Sequence, residues 1–113
     1  PLSTFFLTMP LTMGIFSSLF GTKLDYSDLM ERGAVIVDVR SQAEFKSGHV
    51  PGSKNIPLGQ ISGKVSKFQK MDKPVILCCA SGNRSGQATR ILKEAGVEAY
   101  NGGGWRSVVT NMR

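Results

Sequence analysis

Hydrophobic and polar residues follow two different periods along this chain, and their succession predicts strands separated by helices. Residues 34–39, AVIVDV, form a continuous apolar and β-branched run, which is typical of a strand buried on both faces. Residues 74–78 form a second strong strand candidate, whereas residues 55–56 and 99–100 are short ones. Strands that alternate with helices predict an α/β domain with a mainly parallel central sheet.

The helices are predicted from their end signals and from the spacing of apolar side chains. Asp25 is placed to cap a short first helix, and Ser41 with Glu44 forms a capping-box pattern for a second. One continuous helix is predicted over residues 60–69 and another over residues 84–95. A last helical piece follows a run of three glycines near the C terminus.

Residues 1–22 form an uncharged, apolar segment, and the folded domain is predicted over residues 23–113. Spacing places four apolar residues of the segment on one helical face, namely Ile15, Phe16, Leu19 and Phe20. Pro10 and Gly14 interrupt the stretch and no basic region precedes it, so neither a transmembrane helix nor a signal peptide is predicted. We expect the segment to be docked or disordered, and a targeting role or membrane contact is the less favoured alternative.

Composition and charge narrow the classes of function. The 113 residues are 41% hydrophobic and 19% charged, as in one ordinary globular domain. The net charge is +6, but the basic residues are scattered and no aromatic RNA-binding motif accompanies them, so we expect no nucleic-acid partner. A positive field that attracts small anions and a solvated surface without a role are equal alternatives. Two cysteines and one histidine cannot build a structural zinc site, so no metal is expected.

The candidate chemistry is concentrated in residues 75–85, VILCCASGNRS, where a strand ends in two cysteines before a polar loop and a helix. A thiolate at this position would be stabilised by the helix dipole and by converging backbone N–H groups. Ser81, Gly82 and Asn83 are small or tolerate unusual backbone angles, so the loop can turn successive N–H groups inward as an anion-binding nest. Arg84 adds a fixed positive charge.

Either cysteine is a candidate nucleophile, and each implies a different reaction. Counted from Cys78 the pattern is C-x5-R-S, which is the spacing of cysteine-dependent phosphatases. Counted from Cys79 the pattern is C-x-x-G-x-R-S, and in this register the chain resembles the rhodanese family of single-domain sulfurtransferases. Three further motifs carry the resemblance: Asp38-Val39-Arg40 with Glu44-Phe45; Gly48-His49-Val50-Pro51-Gly52-Ser53 with Asn55-Ile56-Pro57; and Gly102-Gly103 with Trp105.

The resemblance covers residues 23–108 and implies a rhodanese-like three-layer α/β domain, with about five short, mainly parallel strands flanked by helices. It also implies sulfur transfer in two steps. The Cys79 thiolate takes a sulfane sulfur from thiosulfate or a similar anionic donor, and the persulfide passes it to cyanide, a small thiol or a protein thiol. The N–H groups that would hold the donor and the persulfide run from Ala80 through Ser81, Gly82, Asn83 and Arg84 to Ser85.

The position of one glycine favours Cys79 over Cys78. Gly82 lies three residues after Cys79, as in the rhodanese loop, whereas a phosphatase loop would require its glycine at Ser81. Leu77 also stands where those phosphatases usually carry histidine. Cys78 is therefore predicted to be a buried strand residue. A phosphatase or arsenate-reductase-like enzyme that uses Cys78, and a sulfur-carrier or interaction module, are the alternatives.

Asp38 and Arg40 are predicted to support the site. Asp38 ends the first strong strand and is expected either to orient Arg84 or a loop N–H group, or to cap the following turn. Arg40 and Glu44 are four residues apart and are predicted to form an i,i+4 pair. No cofactor is implied. We expect a monomer in the cytoplasm, with the periplasm or a membrane surface as the alternative.

Overall fold

The computed structural model describes residues 24–113. Their elements are α1 (Tyr26–Glu31), β1 (Val35–Asp38), α2 (Gln42–Lys46), β2 (Lys54–Asn55), α3 (Leu58–Ile61), a 3-10 turn (Ser62–Lys64), α4 (Val65–Met71), β3 (Val75–Cys79), α5 (Asn83–Glu94), β4 (Ala99–Gly104) and α6 (Trp105–Asn111). None of the described helices is both long and apolar enough to cross a membrane. The helical face predicted for Ile15, Phe16, Leu19 and Phe20 lies outside the described residues.

The four described strands form one sheet in the order β2-β1-β3-β4, and each neighbouring pair is parallel. The predicted parallel α/β class is therefore confirmed, with four strands in the described residues against the approximate five of the prediction. The strand β2, which follows β1 in the sequence, lies on one side of β1, and β3 lies on the other side. The strand order therefore switches at β1. Ligands of open parallel sheets bind beyond the carboxyl ends of the strands at such a switch.

The sheet lies between two hydrophobic layers, and β3 supplies side chains to both because successive residues of a strand point to opposite faces. Val75, Leu77 and Cys79 belong to the layer formed with α3, α4 and α5. Ile76 and Cys78 belong to the layer formed with α1 and α6. The three-layer architecture is thus confirmed, and the two adjacent cysteines face opposite sides of the sheet.

One predicted helix is wrong. The continuous helix expected over residues 60–69 is divided into α3, a 3-10 turn and α4. The division falls at Gly63 and Lys64, where the backbone of Lys64 departs from helical angles at φ −109° and ψ 2°. Glycine has a low helix propensity, so this is the weakest point of an otherwise amphipathic helical pattern.

Candidate active site

The loop after β3 brings the start of α5 back over the side chain of Cys79. Gly82 makes this possible with a left-handed backbone at φ 104°, a conformation that glycine adopts without steric penalty. A Cβ atom at Gly82 would also lie 3.3 Å from the Cα atom of Gly103. Because Gly82 is the N-cap of α5 and has no side chain, the first-turn N–H groups require another acceptor.

The sulfur of Cys79 takes the place of that missing cap. Its Sγ atom accepts a hydrogen bond from the Gly82 N–H at 3.0 Å and from the Ser85 N–H at 3.4 Å. The Ser85 hydroxyl is a third donor, with Oγ at 3.3 Å from Sγ. The sulfur therefore occupies an anion position at the positive end of the α5 dipole.

This environment shifts the pKa of the Cys79 thiol. Burial acts to raise the pKa, but hydrogen bonds from the hydroxyl and the N–H of Ser85 act in the opposite direction. The N–H groups of Gly82 and Ser81 add to that opposing effect, and the net result is a lowered pKa. A lowered thiol pKa increases the fraction of nucleophilic thiolate near neutral pH.

The side chain of Cys78 lies in an apolar environment that shifts its pKa in the opposite direction. Its side chain is fully buried on the other face of the sheet, so its predicted place in the core is confirmed. Burial first, and the nearby negative charge of Asp38 second, raise its pKa to about 12. Cys78 is therefore a protonated core thiol at neutral pH.

The guanidinium group of Arg84 is directed at Glu44 of α2 and not at the sulfur. Its Nη1 atom lies 2.8 Å from Oε1 and its Nη2 atom 3.0 Å from Oε2, which makes a bidentate pair. Hydrogen bonds from Arg84 are the main cause that lowers the pKa of Glu44 to about 2. The predicted Arg40–Glu44 pair is therefore wrong, whereas the capping box of Glu44 with Ser41 is confirmed.

Arg40 instead forms a buried ion pair with Asp38 at the end of β1. Arg40 Nη2 lies 2.7 Å from Asp38 Oδ2, and the two side chains are 5% and 0% exposed. Asp38 Oδ1 accepts the Arg40 N–H at 2.9 Å, which is the predicted turn cap, and the alternative role of orienting Arg84 is not observed. Arg40 also donates to the Gly48 carbonyl at 2.6 Å and lies 5.1 Å from the Trp105 ring centroid. The pair thus anchors β1 to the Gly48 turn and to α6.

The remaining predicted loop residues differ in their exposure to solvent. Ala80, Ser81 and Asn83 are exposed, so the loop borders solvent. Ser85, by contrast, is buried beside the sulfur. Within residues 24–113 no three His, Cys, Asp or Glu side chains come together in the way that a metal site requires.

Sequence reasoning missed Asn101, which lies on β4 beside the loop. Its side chain contacts Ser85, Gly82 and Gly103 through three hydrogen bonds of 2.7 to 3.0 Å. Asn101 pairs with Leu77 in the sheet register, one position before the irregularity that separates Leu77 from Cys78. A polar residue near the carboxyl end of the strand that neighbours a cysteine strand is the signal that would have identified it.

The fold and the site together define a class: a parallel α/β domain that holds a cysteine sulfur in a backbone anion cradle. The family model described as Rhodanese-like domain matches residues 22–110. The chain belongs to this family, and the resemblance found in its motifs is confirmed.

Known relatives resemble this chain over its domain. It is 42% identical to the uncharacterized protein YqhL of Bacillus subtilis over 71 residues, which are 62% of this chain and 56% of that protein. It is 39% identical to the thiosulfate sulfurtransferase GlpE of Pseudomonas savastanoi pv. phaseolicola over 64 residues, 57% of this chain and 59% of that protein. The chain thus spans less than two thirds of the length of these curated relatives. A solved rhodanese with anions from E. coli matches with a TM-score of 0.61 and 31% identity, covering 66% of this chain and 91% of that one.

Proposed function

We propose that this domain is a sulfurtransferase that moves a sulfane sulfur from thiosulfate, or a similar anionic donor, to a thiophilic acceptor through a persulfide on Cys79. The observation that carries the proposal is the position of the Cys79 sulfur, which has three hydrogen-bond donors within 3.4 Å at the carboxyl edge of the sheet. The name of the GlpE relative, thiosulfate sulfurtransferase, supports the same reaction.

In the first step the Cys79 thiolate attacks the outer sulfur of thiosulfate. A sulfur–sulfur bond forms at Cys79 while the bond between the two sulfur atoms of thiosulfate breaks, and its electron pair leaves with sulfite. The charges balance without a proton transfer, because the thiolate and the thiosulfate dianion become a persulfide anion and a sulfite dianion. We assign the binding of these anions to the backbone N–H groups of the loop, since donors that are fixed in the fold require no reorganisation during the reaction.

In the second step a cyanide ion or an acceptor thiolate attacks the outer sulfur of the persulfide. The bond between the two sulfur atoms breaks, its electron pair returns to Cys79, and thiocyanate or an acceptor persulfide leaves. A thiol of lowered pKa is a good leaving group in such an exchange. The donors that lower the pKa of the Cys79 thiol therefore assist the second step as well as the formation of the thiolate.

The contact between Arg84 and Glu44 bears on how the donor is held. Since the guanidinium is already bound to a carboxylate, we assign anion binding to the N–H groups of residues 80–85 and to the Ser85 hydroxyl. The exposed Ala80, Ser81 and Asn83 leave the outer side of the loop open to a small anion or to an acceptor. The geometry gives no support to a phosphatase or arsenate reductase that uses Cys78, which is buried on the opposite face.

The proposal is tested by the formation of thiocyanate from thiosulfate and cyanide, with Cys79→Ser and Cys78→Ser as matched variants. We expect Cys79→Ser to lower the turnover more than about 1000-fold, since removal of a nucleophile has effects of this size or larger. Cys78→Ser is expected to retain the activity of its folded fraction. Hydrolysis of an aryl phosphate without sulfur transfer would contradict the proposal. Persulfide formation with turnover only on a protein acceptor would indicate a sulfur carrier.

A further inference from the structure

The hydroxyl group of Ser85 lies between two acceptors. Its Oγ atom is 3.3 Å from the Cys79 sulfur and 2.7 Å from Oδ1 of Asn101. A serine hydroxyl has one proton to donate, so it cannot serve both acceptors at the same time. The distance to Asn101 is the usual one for an O–H···O hydrogen bond, so the oxygen is an effective competitor for the proton.

Two backbone groups determine the orientation of the Asn101 amide. The Gly103 N–H can only donate, and it lies 3.0 Å from Oδ1. The Gly82 carbonyl can only accept, and it lies 3.0 Å from Nδ2. A flipped amide would place donor against donor and acceptor against acceptor, so Oδ1 is the atom that faces Ser85.

Building on the sulfur transfer proposed above, we propose that Asn101 is a positioning residue whose Oδ1 atom competes with the Cys79 sulfur for the proton of the Ser85 hydroxyl. When the hydroxyl donates to Asn101, the thiolate retains only its backbone donors and is more basic, and a more basic thiolate is the stronger nucleophile. When the hydroxyl turns to the sulfur, it stabilises Cys79 as a leaving thiolate. Asn101 thereby adjusts the balance between the two steps of transfer without touching the reacting atoms.

The charged side chains near the sulfur are paired with one another, so the groups that compete for the Ser85 proton are uncharged apart from the thiolate itself. Arg84 on α5 is paired with Glu44 on α2, and Asp38 at the end of β1 is paired with Arg40. Cys78 on β3 is a buried thiol with a pKa of about 12. The helices α3 and α4 contribute apolar side chains to the layer on the sulfur's face. On β4, the group that contacts Ser85 is the uncharged amide of Asn101.

The experiment measures the pKa of the Cys79 thiol from the pH dependence of its alkylation by iodoacetamide. Asn101→Ala removes the competing acceptor, so the hydroxyl can donate to the sulfur and the pKa is expected to fall by about half a unit. Asn101→Asp keeps an acceptor, adds a negative charge and loses the donor to Gly82, so the pKa is expected to rise by about one unit. Asn111→Ala and Asn111→Asp are the controls on α6, where the side chain contacts Ser107, and are expected to leave the pKa unchanged.

The opposite signs distinguish competition from simple support of the loop. If both variants shift the pKa in the same direction, or neither shifts it, the proposal is overturned. The Asn101→Ala shift must also disappear in a Ser85→Ala background, and a shift that persists there would contradict the proposed route. Alkylation requires no sulfur donor, so the Asn101 result stands or fails separately from persulfide formation in the unmodified protein.

Discussion

Cys78 and Cys79 are neighbours in the chain but lie on opposite faces of β3. They are equally buried, but the groups that surround their sulfur atoms differ. Their side chains are 0% and 1% exposed, respectively. On the Cys79 face the start of α5 points N–H groups and a hydroxyl at the sulfur. On the Cys78 face the sulfur packs among apolar side chains of the layer formed with α1 and α6.

Hydrogen-bond donors, and not accessibility, give these two thiols opposite shifts of their pKa. Burial acts to raise the pKa of both thiols. On one face the loop donors outweigh that effect, whereas on the other the negative charge of Asp38 adds to it. A single register shift along the strand would exchange the two environments, because the pleat alternates side chains between the faces.

Alkylation rates should show the largest difference between the two faces. At neutral pH we expect iodoacetamide to modify Cys79 at least about 1000-fold faster than Cys78, because the pKa of the Cys79 thiol is lowered whereas that of Cys78 is about 12. Peptide mapping of the partly alkylated protein measures the ratio. In denaturant the two alkylation rates should become similar. Comparable rates in the native protein would contradict the difference between the two faces.

The Asp38–Arg40 pair lies on the Cys78 face of the sheet, and we expect it to stabilise the fold. Asp38→Ala leaves a buried guanidinium without its carboxylate, and we expect a loss of about 3–5 kcal/mol in the free energy of unfolding. Urea denaturation measures it. Asp28→Ala is the matched control, because Asp28 pairs with Arg32 at the surface and its loss should matter far less. Equal effects of the two substitutions would contradict the structural role assigned to the buried pair.

Sequence patterns predicted the strands and the loop after β3, because both depend on residues that are close together in the chain. The β-branched run before Asp38 and the apolar run before Cys79 both form strands, and the motif placed the cysteine before a helix. The Arg40–Glu44 pair failed for a physical reason. The i,i+4 rule applies within a helix, but Arg40 precedes α2, which begins at Gln42. Glu44 instead contacts Arg84, 40 residues further along the chain.

The contact of Asn101 with the site could not be predicted from the sequence, for a different reason. Its contact with Ser85 depends on the parallel register of β3 and β4 and on the irregularity after Leu77, where Asn101 and Gly103 pair with successive residues of β3. Gly102 is the extra residue that this irregularity accommodates. Register and bulges are properties of paired strands, so no local pattern in a single strand predicts them.

Gly102→Ala should disturb the Cys78 face by crowding. A Cβ atom at Gly102 would lie 2.9 Å from Val108 Cγ2 and 3.0 Å from Ile76 Cγ2. We expect a loss of about 1–3 kcal/mol in the free energy of unfolding, measured by urea denaturation. Gly59→Ala on α3, where nothing lies within 4 Å of the new methyl group, is the control and should be neutral or slightly stabilising. Similar losses in both variants would argue against tight packing at the bulge.

The smallest effect is expected for the Glu44–Arg84 pair beside the Cys79 loop. The pKa of Glu44 is lowered to about 2, so its contribution to stability is present above the ordinary carboxyl pKa of 4.5 and is lost as the pH falls towards 2. Glu44→Gln should therefore lower the melting temperature slightly at neutral pH, and its difference from the unmodified protein should disappear in acid. A difference that grows as the pH falls would contradict this pairing.

The sulfur transfer assigned to Cys79 can be followed by the intact mass of the protein after incubation with thiosulfate. We expect that the protein gains one sulfur atom, that cyanide removes it, and that Cys78→Ala still acquires it. Cys79→Ser should acquire none. A sulfur adduct that survives in Cys79→Ser, or that disappears in folded Cys78→Ala, would contradict the assignment of the Cys79 face as the site of sulfur transfer.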